Sequence, residues 1–424
     1  MNPGQKGWLK EYLDFRKEQF LEGEGRSEIS KGRHPDESLY SIVQPSGLMY
    51  GQPVSSTFGQ GSEEENWDDR SRLKVLMAEC FINSALLFHS EEIKNAEDFS
   101  EMIFETTAGI GKFYNNIYPE LATSTRTFFG KKRSPLDIAE KILEKRIEQN
   151  ISSENDFWSN FFHNSLLFLD IFFFGQWIHT NTEDMVTEFF RQEKEELRFS
   201  VVRVLAAAAH ANGIVEKEER KLFEYFINSS GLDKEKQAEA YQFLEQGVDL
   251  DDIVIPSANS WILKKYFFEL AILTIWSDKK VEQTEIDFLE EFRVKVGLVE
   301  DDFDNSMVAI EGFVLQHWEE LDALQSKKDY NAVSDQFISR MSKIASKNHT
   351  RIGQQIKNNK ELHRLMNKLN HEGLEDAERE QLKRRLIKLL NSIPSFVIIS
   401  LPTKFMTLPI LLKILPEELS KKAS

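Results

Sequence analysis

Two acidic turns contain the residue types that could bind a divalent cation. The two sets of side chains are 66 residues apart: Asn212, Glu216 and Glu219, and then Asp278, Glu282 and Glu285. Ca²⁺ and Mg²⁺ need about six oxygen ligands, so a shared site requires that the two turns meet. Carboxylates in the first turn of a helix are also stabilised by the helix dipole and by capping bonds. This structural role accounts for the acids and is the favoured interpretation, and a Ca²⁺ or Mg²⁺ site is the alternative.

These turns belong to a longer internal repeat. Seven positions match in register without a gap: Asn212, Val215, Glu219, Leu222, Phe226, Gly231 and Leu232 correspond to Asp278, Val281, Glu285, Phe288, Phe292, Gly297 and Leu298. Each copy predicts an apolar helix, a polar turn, an amphipathic helix and a left-handed glycine that ends it. Neither hairpin could bury its apolar face alone, so we expect one domain over residues 196–326.

The repeated turns resemble the TerB-like (tellurite-resistance) domain. In that family, paired helices are joined by a turn that contains an aspartate, a glycine, a valine and a glutamate. The corresponding residues here are AHANGIVEKEE (209–219) and WSDKKVEQTE (276–285). The first copy has Asn212 in place of the acid, and the second has Lys279 in place of the glycine. The resemblance implies a helical domain, a role in stress response and divalent-metal sensing at the acidic turns.

A basic helix followed by an apolar, proline-spaced segment could contact a membrane. Residues 374–391 predict an amphipathic basic helix, and the run from Ile393 to Leu415 is 23 residues long, enough to span a bilayer. A bilayer or a protein interior tolerates the prolines better than water does. The predicted contacts are Lys383, Arg384, Arg385, Lys388, Pro394, Phe396, Pro402, Pro409, Lys413 and Pro416. The alternative is that the segment forms short helices folded onto the body of the protein.

The same segment resembles the membrane motif of the Letm family, the leucine zipper–EF-hand-containing transmembrane proteins. The matching residues are LIKLLNSIPSFVIISLP (386–402) and LPILLKILPEEL (408–419). Members are inner-membrane proteins implicated in cation/proton exchange and in ribosome association, and a long ribosome-binding domain follows the motif in them. Here the sequence ends at Ser424 and has no EF-hand loop, so the resemblance implies membrane contact more directly than ribosome binding. A TerB-like domain with a Letm-like tail is also similar to bacterial Letm-related biofilm-associated proteins.

The remaining segments predict helices and connecting loops. Residues 1–70 predict a short helix and a long Gly- and Ser-rich loop, and residues 71–195 predict a Phe-rich helical domain. The apolar run 157–178 could span a bilayer, but Asp170 near its middle favours a buried core helix. Residues 330–424 form the basic helical region with its apolar tail. Since strand patterns are scarce, the predicted fold is an all-α multi-helix bundle with proline-kinked C-terminal helices.

Charge and motif content restrict the function classes. The formal charge of −17 disfavours DNA binding, although residues 340–391 contain 13 Lys/Arg against 6 Asp/Glu. The single cysteine, Cys80, and the lack of a signal-peptide pattern indicate an intracellular protein. Residues 106–113 approximate a phosphate loop but lack its first glycine and the Ser/Thr after Lys112. No other catalytic motif is found, so we expect no enzyme activity.

Together these patterns predict a non-enzymatic interaction or scaffold protein, associated with the cytoplasmic face of a membrane and with no certain cofactor. The alternative is a soluble cytosolic module that senses metal or stress and has its C-terminus buried in the core. A transport-related component with Letm-like ion handling is a third hypothesis. The ribosome enters as a partner by family resemblance alone.

Overall fold

Helices are the regular elements of the chain wherever the structure describes it. The computed structural model describes residues 1–22, 34–52, 67–89, 93–126, 131–149, 160–161, 164–178, 184–213, 215, 217–255, 260–276, 283–319, 327–371, 373–391, 393, 405–416 and 418–419. Within these ranges the chain forms 17 α-helices and no strand, with one isolated antiparallel bridge between Arg126 and Lys132. The predicted all-α, multi-helix fold is therefore confirmed.

The helices are numbered here in chain order. They are α1 Trp8–Glu22, α2 Pro35–Val43, α3 Asp69–His89, α4 Ala96–Ile117, α5 Pro135–Gln149, α6 Leu167–Trp177, α7 Asp184–Ala209, α8 Lys217–Ser229, α9 Lys234–Gln246, α10 Trp261–Ile275, α11 Gln283–Val296, α12 Glu300–Gln316, α13 Lys327–Lys347, α14 His349–Asn358, α15 Lys360–His371, α16 Asp376–Asn391 and α17 Leu408–Ile414. Short 3₁₀ turns lie at Leu48–Tyr50, Pro119–Leu121 and Leu250–Asp252.

The chain folds into two compact units, Met1–Thr274 and Ile275–Ser424. The first contains α1 to α9 and nearly all of α10, and the second contains α11 to α17. The boundary falls inside the segment 196–326 that was expected to form one repeat domain. The finer division of the chain into four segments stays a prediction.

Side-chain and glycine signals in the sequence set the helix ends. Asn95 Oδ1 accepts hydrogen bonds from the N–H groups of the first turn of α4, and Ser134 Oγ accepts one from Asp137 N at 3.1 Å at the start of α5. Gly231 and Gly297 adopt φ angles of 68° and 72° just after α8 and α11. The predicted left-handed glycine caps of both repeat copies are thereby confirmed, and the four repeat helices are found in α7, α8, α10 and α11.

An aromatic core holds α3, α4 and α6 together in the first unit. The ring centroids of Phe81 and Phe174 are 4.8 Å apart, and Phe113 lies 5.6 Å from Phe174, both in edge-to-face geometry. Such pairs contribute about 0.5–1.5 kcal/mol beyond the area that they bury. The abundance of phenylalanine in residues 71–195 therefore reflects packing between helices.

Helix α6 carries a carboxylate in the middle of this apolar core. Asp170 is fully buried, and its oxygens accept hydrogen bonds from Tyr114 Oη at 2.7 Å, from Arg146 Nε at 2.6 Å and from the Tyr118 hydroxyl. Burial alone would raise the pKa of Asp170, but Arg146, the Tyr118 hydroxyl and the charge of Arg198 lower it below its usual value. The buried-helix interpretation of residues 157–178 is confirmed for residues 164–178, which lie almost entirely in the core.

The long loop predicted after α1 is wrong for residues 34–52. This stretch contains α2 and a 3₁₀ turn, and most of its apolar side chains are buried. Gly47 and Gly51, two glycines of the predicted Gly- and Ser-rich loop, adopt φ angles of 73° and 67° on either side of the turn. A Cβ atom at Gly51 would lie 2.4 Å from the carbonyl oxygen of Asn160, so glycine is required there for close packing of two backbones.

Residues 34–52 are held in the core by a second buried carboxylate, Glu269 of α10. Tyr40 Oη donates to Glu269 Oε1 at 2.5 Å, and Tyr50 Oη donates to Oε2 at 2.7 Å. Lys265 Nζ lies 3.3 Å from Oε1, and both members of this ion pair are fully buried. These contacts supply the packing that propensity alone does not predict, since they join segments more than 200 residues apart in sequence.

In the second unit, an acidic face of α12 lies against a basic face of α13. Arg340 Nε donates to Glu311 Oε1 at 3.0 Å, and Lys343 Nζ lies 2.9 Å from Asp304 Oδ2. Lys347 Nζ donates to Asp301 Oδ1 at 2.5 Å, which extends the contact by one turn. Three cations of the locally basic region are therefore neutralised by acids of the same unit.

The Asp170 cluster gives a direct test of the first unit. Asp170→Ala leaves Arg146 buried without its carboxylate, and we expect the free energy of unfolding to fall by about 3–5 kcal/mol. Asp14→Ala removes the exposed partner of Lys10 and is the control that should leave stability almost unchanged. Urea denaturation of both variants measures the difference, and equal effects would contradict the structural role assigned to Asp170.

Glu311 makes the stability of the second unit depend on pH. Burial raises the pKa of Glu311 to about 7 from 4.5, although Arg340 opposes the shift. The folded chain then binds more protons than the unfolded chain between these values, so the free energy of unfolding falls as pH rises from about 4.5 to about 7. Urea denaturation across this window should show that Glu311→Gln removes this loss. Glu300→Gln, at an exposed acid of the same helix, should retain it, and identical pH profiles for the two variants would contradict the assignment.

Candidate functional site

The acidic turns lie mostly outside the described part of the chain. Four of the six predicted ligands have no described side chain: Glu216, Glu219, Asp278 and Glu282. Asn212 is half-buried in the turn after α7, and Glu285 is buried in the first turn of α11. Among the residues that the structure describes, no three His, Cys, Asp or Glu side chains are grouped so as to hold a metal ion. The Ca²⁺ or Mg²⁺ site stays a prediction.

The predicted amphipathic basic helix is α16. Its apolar face is buried in the second unit through Leu382, Leu386, Leu389 and Leu390. The four predicted contact residues on it are Lys383 and Arg385, which are half-buried, and Arg384 and Lys388, which are exposed. Sequence periodicity therefore placed the apolar residues inward and the cations at the surface, as an amphipathic helix requires.

The described part of the apolar tail is buried in the second unit. Phe405, Met406, Leu411, Ile414 and Leu415 are all buried, and α17 packs against α13 and α16. Of the predicted contacts in the tail, Pro409 and Lys413 are exposed and Pro416 is half-buried, whereas Pro394, Phe396 and Pro402 lie outside the described residues. For residues 405–416 this agrees with the alternative of short helices folded onto the protein body: one such helix, α17, is described, and five apolar side chains of this stretch are buried.

In the part of the chain that the structure describes, none of the helices combines the length with the apolar composition that a membrane span requires.

The described cations of residues 340–413 fall into three groups. Those of α13 bind acids of α12, and Arg364 and Lys368 of α15 bind Glu361 and Glu378. Arg379 and Arg385 donate hydrogen bonds to Leu374 O and Asn359 Oδ1. The third group makes no side-chain ion pair or hydrogen bond with any described residue: Arg351, Lys357, Lys360, Lys383, Arg384, Lys388 and Lys413. These seven side chains leave uncompensated positive charge on an acidic protein.

Six of these cations belong to neighbouring helices, and we call them the basic face: Arg351, Lys357, Lys360, Lys383, Arg384 and Lys388. Helices α14, α15 and α16 pack on one another. Arg385 Nη1 donates a long hydrogen bond to Asn359 Oδ1 at 3.5 Å, which places the basic turn of α16 beside the α14–α15 junction. Arg384 and Lys388 are four residues apart and so share one side of α16.

Sequence reasoning found only half of the basic face. Lys383, Arg384 and Lys388 were predicted contacts, but Arg351, Lys357 and Lys360 entered only as part of the local charge. The sequence contains a signal that places Lys357 and Lys360 next to a helix boundary, because they flank Asn358-Asn359, a pair that favours a break between helices. What the sequence does not reveal is which cations have acidic partners in the fold.

The segment that approximates a phosphate loop is part of a helix. Residues 106–113 lie inside α4, and Thr106, Thr107 and Gly111 are buried. A Cβ atom at Gly111 would lie 3.1 Å from Ile138 Cγ2, so this glycine allows α4 to approach α5 closely. The residues therefore serve helix packing, in agreement with the rejection of a phosphate loop from the sequence.

Comparison of the chain with protein-family models, with curated proteins and with solved structures found no match. The TerB-like and Letm-like resemblances accordingly rest on the residues quoted for them above.

Burial of α17 can be tested with two leucines that are adjacent in sequence. Leu411→Ala empties a fully buried position, and we expect the free energy of unfolding to fall by about 2–5 kcal/mol. Leu412→Ala, at a half-buried position of the same helix, is the matched control and should cost clearly less. Denaturant unfolding in aqueous buffer without lipid measures both. An equally small effect of the two substitutions would show that α17 does not contribute to the core in water.

Proposed function

We propose that this chain is a non-enzymatic interaction protein that binds the anionic surface of a membrane through its basic face. The observation that carries the proposal is the set of six cations on α14, α15 and α16 without acidic partners among the described residues, in a chain of net charge −17. Acids on α12 neutralise the cations of α13, so the lack of such partners is a local property of the basic face.

Electrostatic attraction between the basic face and an anionic membrane surface is strong enough for reversible binding. A Lys or Arg near an anionic membrane contributes about 1 kcal/mol, and the effect extends over a distance of about 8–10 Å at ordinary ionic strength. Those cations that meet the surface together, such as Arg384 and Lys388 on one side of α16, would thus supply about 1 kcal/mol each without a spanning helix. The acidic remainder of the chain is repelled by the same surface, which would orient the basic face towards it.

The Letm-like resemblance supports the same location on the chain. Its motif begins on α16, and the mostly apolar residues 394–402, which lie outside the described ranges, follow that helix in the sequence after two intervening residues. A peripheral contact at α16 is compatible with the burial of α17, because the two parts of the motif then have different roles. The TerB-like metal- or stress-sensing module, the Letm-like ion handling and the ribosome partner remain predictions from the resemblances.

Vesicle flotation tests the proposal with the full chain. We expect binding to phosphatidylcholine vesicles that contain phosphatidylglycerol, no binding to phosphatidylcholine alone, and release as salt is raised. The variant Lys383→Glu/Arg384→Glu/Lys388→Glu reverses three charges and should weaken binding at least about tenfold, given roughly 1 kcal/mol per cation.

A matched control separates the basic face from total charge. Lys94→Glu/Lys112→Glu/Lys234→Glu changes the net charge equally at exposed positions of the first unit and should retain most of the binding. Equal losses in both triple variants, or no binding by the wild type, would overturn the proposal. Binding to ribosomal RNA fragments but not to anionic vesicles would also overturn it and would identify RNA as the partner.

A further inference from the structure

A cationic cavity in the first unit has no role in the proposed membrane contact. Its volume is about 390 Å³, and it lies between the N-terminal segment 3–8, the segment 131–133 and one face of α5. We propose that this cavity is a binding site for a small anion that carries two or three phosphoryl charges, such as a diphosphate or triphosphate group.

The first wall of the cavity is fixed by hydrogen bonds between distant parts of the chain. The Glu140 carboxylate on α5 accepts hydrogen bonds from Gly7 N at 2.8 Å and from Leu9 N at 3.2 Å, at the start of α1. Lys74 Nζ of α3, which is buried, donates to the carbonyl oxygen of Pro3 at 2.7 Å. The N-terminal segment is thereby fastened to both α3 and α5, so the cavity does not depend on a ligand for its shape.

The second wall is fixed in a similar way. Arg133 donates from its backbone N–H to Thr125 O at 2.8 Å and from Nη1 to Ser124 O at 3.1 Å. The isolated bridge between Arg126 and Lys132 closes the same turn. These bonds hold the segment 131–133 at the N-terminal end of α5, where the helix dipole also favours an anion.

Charges in the cavity favour an anion with more than one negative charge. Five cations line it, Lys6, Lys131, Lys132, Arg133 and Lys141, together with the three carboxylates of Asp137, Glu140 and Glu144. Glu140 is already engaged with α1, and Asp137 binds Ser134 Oγ at 2.7 Å and Lys6 at 3.5 Å. Hydrogen bonds from Ser134 lower the pKa of Asp137, so it stays ionised and holds the start of α5.

Two cations in the cavity are available to a ligand. The side chains of Lys132 and Lys141 are exposed and make no ion pair or hydrogen bond with any residue that the structure describes. Lysine ammonium groups are common phosphate ligands in proteins, and several together suit a multiply charged phosphoryl group. Trp8 and Pro3 add an apolar side to the cavity, whose volume is in the range of small-molecule sites.

Calorimetric titration of the full chain with pyrophosphate and with tripolyphosphate tests the site. We expect saturable binding with both probes, tighter for tripolyphosphate, and a rise in melting temperature on ligand addition. Lys132→Gln/Lys141→Gln should weaken binding at least tenfold while leaving the melting temperature without ligand unchanged, because both side chains are exposed. Lys94→Gln/Lys112→Gln is the matched control outside the cavity and should bind as the wild type does.

Further measurements distinguish this site from other anion contacts. The charge-reversal variant of the basic face should bind pyrophosphate as the wild type does, so a failure of one proposal does not affect the other. Binding to vesicles that contain a phosphoinositide, with no binding of the soluble probes, would assign the phosphoryl group to a lipid headgroup instead of a free metabolite. Equal binding of sulfate, or an unchanged affinity in Lys132→Gln/Lys141→Gln, would overturn the site.

Discussion

A carboxylate inside an apolar core is costly unless hydrogen bonds and a nearby cation replace the water that it loses, and the first unit meets this requirement twice. Asp170 and Glu269 each receive two tyrosine hydroxyls and lie beside one buried cation. The partners are Tyr114, Tyr118 and Arg146 for Asp170, and Tyr40, Tyr50 and Lys265 for Glu269. Burial raises the pKa of all four tyrosines well above its ordinary value, so the hydroxyls remain donors. Because a shifted helix would leave a buried charge without its partners, these two clusters fix the positions of the helices that meet at them.

Opposite charges in the second unit are distributed unevenly, and the proposed membrane contact depends on this distribution more than on net charge. Acids of α12 form ion pairs with cations of α13: Arg340 contacts Glu311, and Lys343 contacts Asp304. Helices α14 to α16 also carry acids, but among the described residues the ion pairs that these acids form are with Arg364 and Lys368, and the cations of the basic face make no such pair. A protein with a formal charge of −17 can therefore present a cationic surface, provided that its acids lie elsewhere.

Parts of this fold could be predicted from the sequence because one strong physical effect determined the structure of each part. Asp170 excluded a membrane span for residues 157–178, since a mid-span carboxylate is unfavourable in hydrocarbon, and Gly231 and Gly297 marked helix ends because left-handed backbone favours glycine. Residues 34–52 were mispredicted because glycine is ambiguous: Gly47 and Gly51 interrupt a helical pattern whether the segment is a loop or a tight buried turn. Distant residues such as Glu269 and Asn160 distinguish these cases, and local periodicity contains no information about them. Local sequence is equally uninformative about the basic face and about the proposed anion-binding cavity, since each depends on which cations have partners in three dimensions.

The apolar tail shows the same ambiguity at the level of function. A proline-spaced apolar sequence suits a bilayer or a protein interior equally well, because both remove the helix from water. For α17, contacts within the protein distinguish the two environments. Leu411 and Ile414 are fully buried in the second unit, whereas Pro409 at the start of the helix and Lys413 on its outer side are exposed. Inserting these side chains into a bilayer would require α17 to leave the core. The packing energy of each buried leucine and isoleucine would then be lost. Electrostatic contact through the basic face has no such cost, since its cations give up no partner among the described residues when they meet an anionic surface. For this reason we propose the membrane contact for the charges of α14 to α16 and not for the hydrophobic side chains of α17.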